Sequence, residues 1–282
     1  MLLNVHIFCF VACYAVALAL EASRMWFRSG IRGMAMLGFV VAGWLAHTAF
    51  LYNSAMAHGG EAAGSPLSSN RDWLLLAAWV LVMVYFYLAC YHPSTHFGVF
   101  LLPLVLGLIA AANLWADPNP FPREPASKVW GVIHGTSILL ATVTVLVGFA
   151  AGLMYLEQAQ RLKSKRPPLI KLRLPSLEWL QTVNSRAMLA SMLLVAVGVA
   201  SGIVLNLINS RQNVPGVPWT DPVILGTLSM FGWLLLNVII GAFYRPIRQG
   251  RKVAYLTLAS FLFLVIALAM LLFVNTKHGG FA

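Results

Sequence analysis

The chain has 282 residues, of which 60% are hydrophobic and only 10% charged, and its mean hydropathy is +0.81. This excludes a water-soluble domain, in which about 25% of residues are charged, and a disordered chain, which pairs low hydrophobicity with high charge. The net charge of +11 does not point to nucleic acid, because the basic residues are gathered in short segments between apolar runs, as in a polytopic membrane protein.

Eight charge-free apolar runs follow one another at about 3–20, 34–54, 73–91, 97–115, 130–156, 187–208, 222–243 and 253–274. Each is close to the roughly 20 residues that cross about 30 Å of hydrocarbon. In lipid each must satisfy its own backbone hydrogen bonds, so each is read as a helix. The first run has no basic residue before it, while Arg24, Arg28 and Arg32 follow it. A cleavable signal peptide shows the reverse, so this run is read as a retained helix with its N-terminus outside.

The segments after the first, fifth and seventh runs carry thirteen of the nineteen basic residues, including the cluster between Arg161 and Arg173. They are read as cytoplasmic, which puts both termini outside. The turn 92–96 is cytoplasmic by parity. Asp117-Pro118-Asn119-Pro120-Phe121-Pro122 cannot be helical and is read as an external loop. Pro167, Pro168 and Pro175 break the basic segment, and Ser176 is placed to cap a short amphipathic stretch, Leu177 to Arg186, lying at the interface. Gly148-x-x-x-Gly152 and Gly198-x-x-x-Gly202 allow close helix contact. Cys9, Cys13 and Cys90 fall inside apolar runs without a C-x-x-C motif, giving neither a disulfide framework nor a zinc site. The expected architecture is an all-α integral membrane protein, one domain over 1–282, a bundle of eight transmembrane helices.

Candidate chemistry is confined to histidine and tryptophan, since no other ionisable side chain is expected well inside a run. Transporters coupled to protons or sodium usually need such groups. His134 lies at the outer end of the fifth run, one turn after Trp130; His278 lies just beyond the eighth; Trp219 and Asp221 precede the seventh. His47, in the outer half of the second run, and His58, in the loop after it, are secondary candidates. Two imidazoles facing each other among aromatic side chains suit an iron porphyrin. Plainer readings stand beside this one: Trp130 and Trp219 fit an interfacial aromatic belt, and Asp221-Pro222 is a good start for a helix.

From about Pro66 to the C-terminus the chain resembles the cytochrome c assembly family of membrane proteins (CcsA/ResC-like, with a HemX-like branch). The residues that carry the resemblance are Pro66-Leu-Ser-Ser-Asn, Trp73-Leu-Leu-Leu-Ala-Ala-Trp79, Trp130-Gly-Val-Ile-His134, Tyr155 to Lys163, Leu174-Pro-Ser-Leu-Glu178, Gly198-x-x-x-Gly202, Gly250-Arg-Lys-Val-Ala-Tyr255 and His278, in that order. The resemblance implies that Trp219, Asp221 and Pro222 end a tryptophan-rich external motif that cradles haem, and that His134 and His278 are its axial ligands. It also implies a location in the inner (cytoplasmic) membrane, a CcsB/ResB-like membrane partner, an apocytochrome c client and a thiol reductant of the thioredoxin type.

The chain departs from that pattern at three places. Asn213-Val-Pro-Gly-Val-Pro218 stands where upstream tryptophans of the motif are expected, and Val223-Ile224 where the family has Lys-Glu. Asn237 to Tyr244 lacks the inner histidine of the synthase members, for which His92 or His96 are the available substitutes. Two readings follow. In the first, the protein binds b-type haem transiently and presents it at the extracytoplasmic face, at most as one subunit of a system II haem lyase, with no catalytic residue of its own. In the second it is a HemX-like regulator or scaffold of haem biosynthesis, whose basic segment meets an acidic partner or membrane lipid.

Overall fold

A computed structural model describes residues 6–26, 30–57, 69–118, 128–164, 172–211, 217–243 and 251–274. Every regular element among them is a helix: α1 (Ile7–Ser23), α2 (Gly30–Ala57), α3 (Asn70–Tyr91), α4 (Gly98–Leu114), α5 (Lys128–Ser164), α6 (Leu177–Arg211), α7 (Pro222–Phe243) and α8 (Arg251–Phe273). Six of these, all but α1 and α4, are long and apolar enough to cross a membrane. At 17 residues each, α1 and α4 rise about 26 Å, a little short of the roughly 30 Å hydrocarbon layer. This is a multi-pass membrane protein.

Helix ends follow local chemistry. Ser69 is extended, and its Oγ accepts the Asp72 amide at 3.2 Å, capping α3. That helix stops at His92, whose backbone leaves the helical region ahead of Pro93. Asp221 caps α7 by accepting the Val223 amide at 2.9 Å, and Pro222 fills the first helical position, where a missing N–H costs nothing. Ser176 accepts the Trp179 amide at 3.3 Å. The interfacial stretch expected from Leu177 to Arg186 is not a separate element. It runs straight into the apolar part of α6 as one helix of 35 residues, since nothing between Arg186 and Ala187 breaks the ladder.

The helices form two groups. In the first, α1 packs on α2 and α4, and α3 on α2 and α4; in the second, α5 to α8 pack on one another in sequence, with α8 closing back onto α5 and α6. Helix α5 joins the groups, because it also contacts α3 and α4, and its most extensive packing is with α6. Both glycine pairs sit where α5 meets α6 and α8. A Cβ on Gly148 would lie 3.2 Å from the Ala187 Cβ on α6, and one on Gly152 would lie 2.7 Å from Thr257 Oγ1 on α8. In lipid, where apolar side chains gain nothing by leaving solvent, such close approach is a main source of helix association.

One end of the bundle holds Arg24, Arg161, Arg173 and Arg251. The end of α1, the starts of α4 and α8 and the end of α5 meet there, with Met25, Val99, Arg161, Leu172 and Arg251 lining one cleft. Glu21 lies at the same end. Helix α1 continues past the apolar run to Ser23, which leaves this carboxylate fully buried. Its Oε2 meets the Arg24 guanidinium at 2.8 Å, and a second Arg24 nitrogen donates to the Pro93 carbonyl at 2.7 Å. The opposite end holds the start of α3 and the end of α4, where the Arg71 amide donates to the Asp117 carbonyl at 3.3 Å. It also carries the start of α5 with His134.

Candidate functional site

His134 projects from the second turn of α5 onto α6 and is partly buried there. Its Nδ1 lies 2.7 Å from the Gly198 carbonyl oxygen. A carbonyl can only accept, so the proton is on Nδ1 and the lone pair on Nε2, the tautomer a metal-ligating imidazole needs. Ser201 Oγ donates to the same carbonyl at 2.9 Å. The imidazole rests on Gly202, where a Cβ would come within 3.0 Å of Nδ1 and 3.1 Å of Cε1. One turn deeper, a Cβ on Gly198 would lie 2.5 Å from Ile138 Cδ1. The second glycine pair therefore does more than bring two helices together: it makes room for the ring and supplies the oxygen that orients it.

Two further contacts shape the surroundings. Trp73, in the first turn of α3, lies flat enough against Gly135 that no Cβ could fit there. This tryptophan, 61 positions before His134 in the sequence, packs on the residue next to it and is not one of the site candidates read from the sequence. The signal for it was present in the glycine that directly follows His134. On α6, Asn206 continues the line Gly198–Gly202 by one more turn, and its Nδ2 donates to the Val217 carbonyl at 3.1 Å. The turn that carries Trp219 is thereby hooked onto the face of α6 that also seats His134, about 6 Å further toward the end of the bundle.

The other candidates are placed as follows. Trp130 stands one helical turn from His134 on α5 and is exposed, as is Trp219. Asp221 is buried and turned into its own helix, capping α7, and its amide donates to the Pro218 carbonyl at 2.9 Å across the turn that carries Trp219. The described chain closes at Val274, beyond Phe273, whose ring meets Trp115 edge-on at 5.6 Å. His278 and His58 lie outside the described residues. His47 belongs to a different neighbourhood: fully buried, it stacks on Phe10 of α1 with centroids 4.2 Å apart, and its Nδ1 lies 3.4 Å from the Tyr14 hydroxyl. Trp44 and Trp79 stack on the side of α2 that meets α3, so His47 packs into α1 and away from α5.

A family model described as cytochrome C assembly protein matches residues 67–278, most of the chain. The protein belongs to the cytochrome c assembly family. No curated protein and no solved structure matches it. Membership gives the protein a role in cytochrome c maturation. The matched span contains His134, Trp73, Trp130, Trp219, the Gly198–Gly202 pair and, at its last residue, His278.

At the basic end the two substitutes for the family's inner histidine are otherwise engaged. His96 is buried, and its Nδ1 accepts the Arg173 amide at 3.1 Å, while its own amide donates to the Arg173 carbonyl at 3.1 Å. An amide can only donate, so the proton is on Nε2, the opposite tautomer to that of His134. His92 meets Trp179 edge-on at 5.8 Å. His96 thus fastens the 172–176 segment to the 92–96 turn. His96→Ala is expected to cost about 1–2 kcal/mol in detergent stability. It should leave any haem spectrum unchanged, a pairing that thermal unfolding and visible absorbance together would check.

Proposed function

We propose that this protein receives haem as cargo at the end of the bundle opposite its basic connections and presents it to an apocytochrome c. The observation that carries the reading is His134, held by the Gly198 carbonyl in the tautomer that puts its lone pair on Nε2 and seated on a bare glycine backbone. The residues present fit haem: an oriented imidazole, the aromatic surfaces of Trp73, Trp130 and Trp219, and a mostly apolar surround. His278 is the second axial ligand of the proposal. From Val274 it is four residues away, a tether of at most about 14 Å, and Val274 belongs to the end of the bundle where α5 begins. Bis-imidazole ligation would keep the iron six-coordinate and quiet until a client histidine displaces one ligand.

On the positive-inside rule the basic end is cytoplasmic, so the site and both termini are extracytoplasmic, in the inner membrane. Residues 1–282 act as one membrane domain. The thiols of a Cys-x-x-Cys-His client add to the vinyl groups, and the protein contributes binding and orientation. A CcsB/ResB-like membrane partner and a thioredoxin-type reductant complete the machinery.

The test is the visible spectrum of the purified protein, oxidised and reduced. Wild type is expected to show a low-spin Soret band with sharp reduced α and β bands. His134→Ala and His278→Ala should each weaken it, and an unchanged spectrum in the double variant would refute the ligand assignment. A second reading, a HemX-like regulator without haem attachment, is favoured by His92 and His96, both engaged in holding the basic end together. A protein that takes up no added haem but retains a soluble haem-biosynthesis enzyme through its basic segment would establish that reading instead.

A further inference from the structure

The cleft at the basic end has a volume of about 580 Å³. Phe100 on α4 and Leu153 and Leu156 on α5 give it an apolar lining, and Glu157, Arg161, Arg251 and Tyr255 line it with polar groups. Both guanidiniums are held in place: Arg161 donates to Glu157 Oε1 at 2.7 Å and to the Leu172 carbonyl at 2.8 Å, and Arg251 donates to the Ala159 carbonyl at 3.2 Å. Two cations against one carboxylate leave the polar lining positive. Along α5, Leu153 and Arg161 are eight residues apart, about 12 Å, so the cleft passes from hydrocarbon-like to cationic over roughly the distance between an upper acyl chain and its headgroup phosphate.

We propose that this cleft binds an anionic phospholipid of the leaflet that meets the basic end, its phosphate between Arg161 and Arg251 and one acyl chain against Phe100, Leu153 and Leu156. A small soluble anion would use the arginines but has no need of the apolar wall, and a zwitterionic lipid would fill the wall while bringing its own cation to the two arginines. Planar guanidiniums already anchored by one edge lose little freedom on meeting a phosphate, and basic pockets between helices at the membrane surface select lipids of this charge. The bound lipid would tie the start of α8 to the end of α5, across the seam where the last helix closes the second group.

The test is native mass spectrometry of the full chain in mild detergent doped with dioleoylphosphatidylglycerol or dioleoylphosphatidylcholine. The phosphatidylglycerol adduct is expected to survive activation that strips phosphatidylcholine. Arg251→Gln, which spares the Arg161–Glu157 pair, should reduce that adduct by roughly tenfold. Leu153→Trp, which fills the wall and leaves every charge in place, should reduce it as well, with circular dichroism confirming that both variants keep their helix. Equal retention of the two lipids, full retention in both variants, or complete displacement by millimolar inorganic phosphate would overturn the proposal. None of these outcomes depends on whether haem binds at His134.

Discussion

Gly202→Leu is expected to deplete the protein of haem about as thoroughly as His134→Ala, although it removes no ligand. The space a leucine would need is occupied by the imidazole itself, 3.0–3.1 Å from where its Cβ would be built. The ring would have to swing off the Gly198 carbonyl, losing both its orientation and the hydrogen bond that keeps the proton on Nδ1. Groups that orient a metal ligand typically govern affinity by about 10–100-fold. A drop of that size in haem per protein, read from the Soret band of folded protein, is the expected result. Gly202→Ala should fall between, because a methyl asks the ring to give by only a few tenths of an ångström. If Gly202→Leu bound haem with wild-type occupancy, His134 would not be the ligand in the pose described.

Arg24→Ala should be among the most destabilising single changes in the chain. It would leave the Glu21 carboxylate fully buried with no cation beside it and would release the Pro93 carbonyl from its donor. Breaking a buried pair from one side costs about 3–5 kcal/mol, and thermal unfolding in detergent would report it. Replacing both partners, Glu21→Leu with Arg24→Leu, should recover most of that loss, because no buried charge is then stranded. A double variant as unstable as Arg24→Ala would mean that the guanidinium acts chiefly through the 92–96 turn. Haem occupancy should follow stability only, since the pair sits at the opposite end from His134.

Much of this molecule could be read before its helices were placed. Each apolar run overlaps one of the eight helices, the cap at Asp221-Pro222 behaves as its residue types require, and the match over 67–278 agrees with the resemblance seen in the ordered motifs from Pro66 onward. Other features become legible only with the helices in place. The stretch from Leu177 to Arg186 reads as interfacial, and it continues without a break into the apolar part of α6, because an arginine does not interrupt a hydrogen-bond ladder. Glu21 was passed over because a charge-free run ends one residue before it, while α1 itself continues to Ser23 and buries the carboxylate against the start of α4. His47, the secondary candidate in the outer half of the second run, lies on a different helix face from that of His134. Rotation separates them, one facing α1 and the other α6.

Composition and the placing of charges are enough to make this chain a helical membrane protein, because hydrocarbon tolerates nothing else at such length and polarity. They are enough, too, to nominate His134 by its distance along α5. The pairing of helices determines the rest: that Gly198 and Gly202 form a seat for an imidazole, that Trp73 closes on Gly135, and that Asn206 brings the Trp219 turn to the same face. Those relations join residues 11 to 68 positions apart that lie on different segments. They are settled only when α3, α5 and α6 pack, since a side chain's tautomer and neighbours depend on the backbone it meets and not on the helix that carries it.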